Sequence, residues 1–165
     1  METLKLTIKD FGADRYYTDR YYDGPVDVTD FDGNIEIDTG GSRCRFKTSV
    51  KASGYIKSSG ALYADGDIES GDYIKSAGDI SSHGYIKSHG GIDSGRYIIS
   101  GSYIKSCGDI NSGGFIKSVD FVDSAGYIDS RGYVYTKGLV TCKKLTSGGV
   151  ACGELVETTL VAQTG

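Results

Sequence analysis

The chain is expected to be an all-β protein: a parallel β-helix (β-solenoid) of six-residue repeats with a small β cap at its N-terminal end. Three observations predict this. An aliphatic residue recurs every six positions fifteen times in succession, from Ile56 to Val140. A small residue follows each one two places on, Ser in twelve cases and Ala64, Thr136 and Cys142 in the others. Gly stands two places before eleven of the fifteen, giving the repeat Gly-Tyr/Asp-Ile-Lys/Asp-Ser-x. Six is a multiple of two and not of 3.6, so a strand keeps the aliphatic residue on one face while a helix would carry it around the axis. β-Branched Ile suits a strand. Ile, Gly and Ser then point inward, and the residues just before and after Ile point outward. Small inward residues beside each Ile, with the backbone freedom of Gly, let short strands meet at corners and stack as a coil.

The elements follow in order. Over residues 1–41 the repeat is absent. Leu4, Leu6 and Ile8 alternate with polar residues, as do Val26 and Val28, and Ile35 and Ile37, about the turn Asp32-Gly33-Asn34. Between them DRYYTDRYYDG duplicates a Tyr-Tyr pair at Tyr16, Tyr17, Tyr21 and Tyr22, with Arg15 and Arg20. The region reads as a β cap that covers the first coil and shields its edge. Cys44 and Val50 fit the six-residue register, so the coil is expected over 42–140. With three faces and about 18 residues per turn, as β-helix geometry suggests, the fifteen repeats form about five turns at a strand spacing of about 4.8 Å. Each buried Ile contributes about 1.5–3 kcal/mol, enough for the array to support itself. Over 141–165 the aliphatic spacing drops to five, at Leu145, Val150, Leu155 and Leu160. This predicts a tighter last coil with one corner residue fewer per face, and LVETTLVAQTG closing the column.

Composition narrows the function. The 165 residues include 25 Gly, one Pro and 13 Tyr, with 18 basic and 22 acidic side chains for a net charge of −4. The regular pattern excludes collagen and unstructured linkers. Apolar runs fall short of the roughly 20 residues of a membrane span. The start METLKLTIKD lacks the pattern of a secretion signal, so a cytoplasmic, reducing compartment and free thiols are expected for Cys44, Cys107, Cys142 and Cys152.

GDIES (66–70), GDISS (78–82), GGIDS (90–94) and GDINS (108–112) resemble the repeats of bactofilins, bacterial solenoid proteins that form polymers. The resemblance covers about residues 42–140. It implies a right-handed coil and, as an alternative function, a self-assembling structural or cytoskeletal subunit joined end to end. The N-terminal segment departs from the short tails of that family. The five-residue spacing near the C-terminus resembles pentapeptide-repeat solenoids.

Candidate chemistry is sparse. His83 and His89 fall at outward corners three residues after an Ile. Hexapeptide-repeat acyltransferases use a catalytic His, but they generally interrupt the coil with a loop, and here the repeats run on past both histidines. On the expected turn His89 lies one coil before Cys107, half of what a zinc site needs. No phosphate-binding loop is present. The expectation is a non-enzymatic protein with no cofactor and no metal.

The outward positions carry more. Nine of the fifteen residues preceding the aliphatic one are aromatic. Folded into three-faced turns, one face stacks Tyr97, Phe115 and Tyr133 beside Tyr63, Ile99, Lys117 and Tyr135. Another stacks Tyr85, Tyr103, Phe121 and Leu139 beside Lys87 and Lys105. The remaining face mixes Tyr55, Tyr73, Lys57 and Lys75 with Asp93, Asp109 and Asp129. Such ladders stabilise neighbouring strands by about 0.2–1 kcal/mol per pair. The apolar patch on the first of these faces also predicts a partner surface, since Tyr is enriched in interface cores. Tyr-Lys alternation suits single-stranded nucleic acid, but interleaved Asp and an acidic total argue against direct binding. A protein partner or a second copy is therefore expected at Tyr63, Tyr97, Ile99, Phe115, Lys117, Tyr133 and Tyr135, and at Tyr85, Tyr103 and Phe121. By analogy with pentapeptide-repeat solenoids that block DNA-handling enzymes, an inhibitor of a nucleic-acid-handling or defence protein, encoded by a phage or mobile element, is one form this takes.

Overall fold

The repeat folds as a three-faced parallel β-solenoid, seen in a computed structural model that describes residues 1–13, 20–151 and 154–157. Within the repeat each face contributes a strand of three residues beginning at the aliphatic position, as in Ile56–Ser58, Leu62–Ala64 and Ile68–Ser70. The fourth strand, Ile74–Ser76, returns to the first and pairs Ile74 with Ile56. One turn therefore has three faces, each contributing one repeat. The same parallel register holds on the second face, where Leu62, Ile80 and Ile98 align, and on the third, where Ile68, Ile86 and Ile104 align.

The core is a set of aliphatic columns. Every repeat position from Ile56 to Val140 is fully buried. The inward serines have a further role. From Ser70 to Ser130 each hydroxyl donates to a corner carbonyl in the coil below, as Ser94 does to Gly78 at 2.8 Å; Thr136 does the same to Asp120. Several also accept from the backbone N–H two residues on, as Ser94 does from Arg96 at 3.3 Å. Among the described residues no buried side-chain polar atom is left without a partner.

The repeat glycines differ from expectation in their reason. None has a left-handed backbone; that conformation occurs at Gly40 and Gly41, where the chain turns before the regular coils. In the repeat the constraint is close approach of one coil to the next. A Cβ at Gly138 would fall on the Asp120 carbonyl oxygen, and one at Gly60 on that of Ser42.

The stack extends beyond both ends of the repeat. Gly33–Asp38 pairs in parallel with Ile56–Ser58, setting Ile35 on Ile56, and Glu2–Thr7 pairs outside it, setting Leu4 on Ile35. Much of the segment expected to form a cap thus supplies solenoid strands. The covering is done by an antiparallel pair, Phe11–Ala13 with Arg20–Tyr22, at the edge of the second face. There Phe11, Tyr22 and Phe46 pack ring against ring at 5.2–5.6 Å between centroids, and Phe46 fills an inward slot that later coils give to Ala or Ser. Tyr16, Tyr17 and Arg15 lie outside the described residues.

At the other end the turn tightens stepwise. In the regular coil Ile110 pairs with Ile128, a full turn later. Tyr127 pairs with Lys144, one position short of a full turn. Tyr133 pairs with Gly149, two short, and Leu139 with Glu154, three short. The turn loses one position at each successive face. Leu145, Val150 and Leu155 thereby stay in line with Ile128, Val134 and Val140. This is the geometry that the five-residue spacing predicts. Cys152, Leu160 and most of the closing tail lie outside the described residues.

Candidate interaction surface

Outward residues inherit the register of the core. Stacking coils about 4.8 Å apart places rings on successive coils at stacking distance. On the second face Tyr97, Phe115 and Tyr133 form a ladder with centroids 4.7 and 5.1 Å apart. On the third, Tyr85, Tyr103 and Phe121 stack at 5.0 and 4.8 Å with rings within 4° of parallel. On the first, Tyr55 and Tyr73 stack at 4.9 Å.

Ladders begin on a side chain that accepts a backbone hydrogen bond. The Asp67 carboxylate accepts from the Tyr85 N–H, Asp79 from Tyr97, Asp109 from Tyr127, and the Asn34 amide oxygen from Tyr55. An Asp before the repeat Ile therefore supports the first ring of the coil above. Asp79 is the buried example. It also accepts from the Tyr63 hydroxyl at 2.8 Å and lies 3.6 Å from the Arg96 guanidinium. Burial, reinforced by the bond to Asp79, pushes the Tyr63 hydroxyl up to about 12.

Lysines next to the ladders mostly pair with carboxylates. Lys87 and Lys105 are neighbours, and each pairs away from the other, Lys87 with Glu69 at 2.7 Å and Lys105 with Asp123 at 3.0 Å. Lys75 pairs with Asp93 at 2.8 Å. Lys117 instead sits over the Tyr135 ring, 5.9 Å from its centroid.

The expected patch is brought together in part. Ile99, Lys117 and Tyr135 follow one another on successive coils, beside Tyr97, Phe115 and Tyr133. Tyr63 is separated from Ile99 by Ser81 and is engaged with Asp79. The C-terminal half gains Val119, which the sequence reading passed over, and Leu139, which it stacked with Phe121 without assigning it to the partner surface. Val119 occupies the corner between the second and third faces, 40% exposed, and Leu139 on the third face is 38% exposed. The available signal for Val119 was an aliphatic residue at a corner that other coils give to Asp65, His83, Gly101 and Lys137. Two adjoining depressions meet there. One of about 810 Å³ is lined by Val119, Phe121 and Leu139 with the Lys105–Asp123 pair. The other, of about 480 Å³, is lined by Tyr133, Tyr135 and Lys117. Val119 and Lys137 belong to both, so the two aromatic faces join around one corner.

The remaining candidates are placed at corners. His83 is exposed, its Nδ1 3.6 Å from Asp65, which is itself held by Arg45 at 2.6 Å. His89 and Cys107 are both exposed, on successive coils. Cys44 is a buried free thiol, and Cys142 is buried as well. Burial pushes the Cys44 thiol up to about 12. Among the described residues no three His, Cys, Asp or Glu side chains converge as a metal-binding group, and no helix is long and apolar enough to cross a membrane. No protein-family model, curated protein or solved structure matches the chain.

Proposed function

We propose that this protein is a non-enzymatic binding scaffold that holds a protein partner against the corner between its second and third faces. The observation that carries this reading is the continuous apolar surface of Val119, Phe121, Leu139, Tyr133 and Tyr135 around that corner, with Tyr133 half exposed. Aromatic and aliphatic groups that a rigid core holds in place lose little entropy on binding. Lys105, Lys117 and Lys137 at the rim add polar contacts. The finer reading, an inhibitor of a nucleic-acid-handling or defence protein, is supported by the analogy with pentapeptide-repeat solenoids alone.

The test is the double variant Val119→Asp with Leu139→Asp. Both side chains are substantially exposed, so the far-UV spectrum and melting temperature should stay close to those of the parent. Partners captured by the parent from extracts of its host should be lost. Capture of the same partners by the variant would refute the proposal.

A second reading, self-assembly coil to coil, is favoured by the exposure of Val150 (40%) and Leu155 (42%), in columns whose preceding members are fully buried. Filaments visible by electron microscopy and abolished by deleting 141–165 would support it. A discrete monomer or dimer at high protein concentration would end it.

A further inference from the structure

The ladder on the first face is broken. Tyr55 and Tyr73 stack, the next coil presents Gly91, and the coil after that presents Asp109. On the other two faces each ladder, once begun, continues coil by coil as far as Tyr133 or Phe121. The backbone register is intact across the break, since the Gly91 carbonyl accepts from Ile74 N–H at 3.0 Å as the Tyr73 carbonyl does from Ile56. Nor does the fold demand glycine at this position. Its φ is not left-handed, and an added Cβ would meet only backbone of Asp109, 3.2 Å away at the nearest. Tyr55, Tyr73 and Tyr127 hold the equivalent position in other coils of this face.

A notch results, a depression of about 460 Å³ with Tyr73 as its floor, Gly91 and Gly108 at its back, and the Lys75–Asp93 ion pair beside it. One face of the Tyr73 ring lies against Tyr55 at 4.9 Å between centroids, and the other looks toward the missing rung. Lys51 and Arg96 lie over the rings of Tyr85 and Tyr97, but among the described residues no cation covers Tyr73. Lys75 is held by Asp93 at 2.8 Å instead. The residue above the gap turns away from it: the Asp109 carboxylate accepts the Tyr127 N–H of the following coil at 2.8 Å. Tyr73 and Asp109 stand two strand spacings apart, about 10 Å. That height admits one ring at the spacing of the other ladders, 4.7–5.1 Å.

We propose that the Gly91 notch receives an aromatic side chain of a partner protein, stacked on Tyr73 as the missing rung of the ladder. The chain's own ladders show what this spacing accepts, a flat ring parallel to the ring below it. Stacked rings attract beyond the area they bury, which an aliphatic side chain of similar size does not match. A pocket for one aromatic anchor is also the form in which protein interfaces concentrate their affinity. With Asp93 paired to Lys75 and Asp109 turned to the next coil, the slot selects a neutral ring over a cation. It lies on a different face from the apolar corner and does not depend on it.

The test is a nuclear magnetic resonance titration of the full chain with acetyl-tyrosine amide, with acetyl-leucine amide and acetyl-arginine amide as comparisons. Saturable shifts of the Gly91 amide and Tyr73 ring signals are expected with tyrosine, and binding at least tenfold weaker with the other two. Gly91→Tyr, which supplies the rung from within, should weaken tyrosine binding at least tenfold. Tyr73→Leu, which removes the stacking floor at an outward position, should weaken it severalfold and carries the test if Gly91→Tyr is misfolded. No saturable shift, equal binding of either comparison amide, or full binding by a folded Gly91→Tyr or Tyr73→Leu chain would overturn the proposal.

Discussion

Each side chain in the repeat answers to the coil next to it more than to its neighbours in sequence. Ser94 illustrates this. Its hydroxyl donates to Gly78 O at 2.8 Å, lies 3.0 Å from Tyr97 O, and accepts from Arg96 N–H. Ala would fill the same space and leave those backbone groups short of a partner. Ser94→Ala should therefore lower stability by about 1–2 kcal/mol in urea unfolding. Ser81→Ala, at an outward position, should stay within about 0.5 kcal/mol. Equal effects would reduce the inward hydroxyls to space fillers. Tyr63 makes a prediction in pH. Its folded-state pKa is raised to about 12 from the usual 10 by burial and the bond to Asp79. The protonated form is favoured in the folded chain, so this contribution is complete below pH 10 and is lost as pH rises toward 12. Tyr63→Phe should make the fall in stability over that interval shallower. An unchanged slope would show that Tyr63 is not its source.

At the scale of the strand and the ladder, three residues are too few to form a stable element alone. Each strand is defined by pairing above and below, and its energy comes from one fully buried aliphatic residue and the bonds to adjacent coils. The ladders are the outer counterpart of that core. Their members were legible once a three-faced turn was assumed, because rings one turn apart had to coincide. That they begin on Asp or Asn was not legible, since Asp67, Asp79 and Asp109 look like ordinary surface charges in the sequence. Only the register places each of those carboxylates against the N–H of the aromatic residue one coil on. The glycine signal was read correctly in position and incorrectly in cause. A one-dimensional pattern shows that a side chain is excluded, and the carbonyl that excludes it belongs to another turn.

For the whole molecule, one-dimensional stacking makes length adjustable. Deleting residues 86–103 removes one turn and joins Tyr85 to Ile104, which preserves both the phase and the face. Deleting only residues 86–91 joins Tyr85 to Ile92. Every later repeat then moves by one face. The aliphatic core survives and the ladders stay intact on either side of the junction, but the contacts that cross it are lost: Tyr103 no longer stacks on Tyr85, Tyr97 leaves Asp79, and Asp93 leaves Lys75. The shorter deletion should therefore be the more destabilising, by several degrees in melting temperature relative to the longer one. The reverse order would mean that the outer ladders contribute little to stability.

The sequence alone determined that the chain is a solenoid, which residues face its interior, and where its pitch shortens. These follow from period: a spacing of six or five is written directly in the order of side chains, and alternation about a strand decides inside from outside. The tertiary structure decided how many faces close a turn, since a six-residue face has the same pattern in a three-sided coil as in a four-sided one. It also decided that Glu2–Thr7 and Gly33–Asp38 join the stack, because their spacing to the next rung is irregular and only strand pairing reveals the match. The corner surface around Val119 belongs to the same class. It is assembled from residues a full turn apart, and contact between them exists only after the coil has closed.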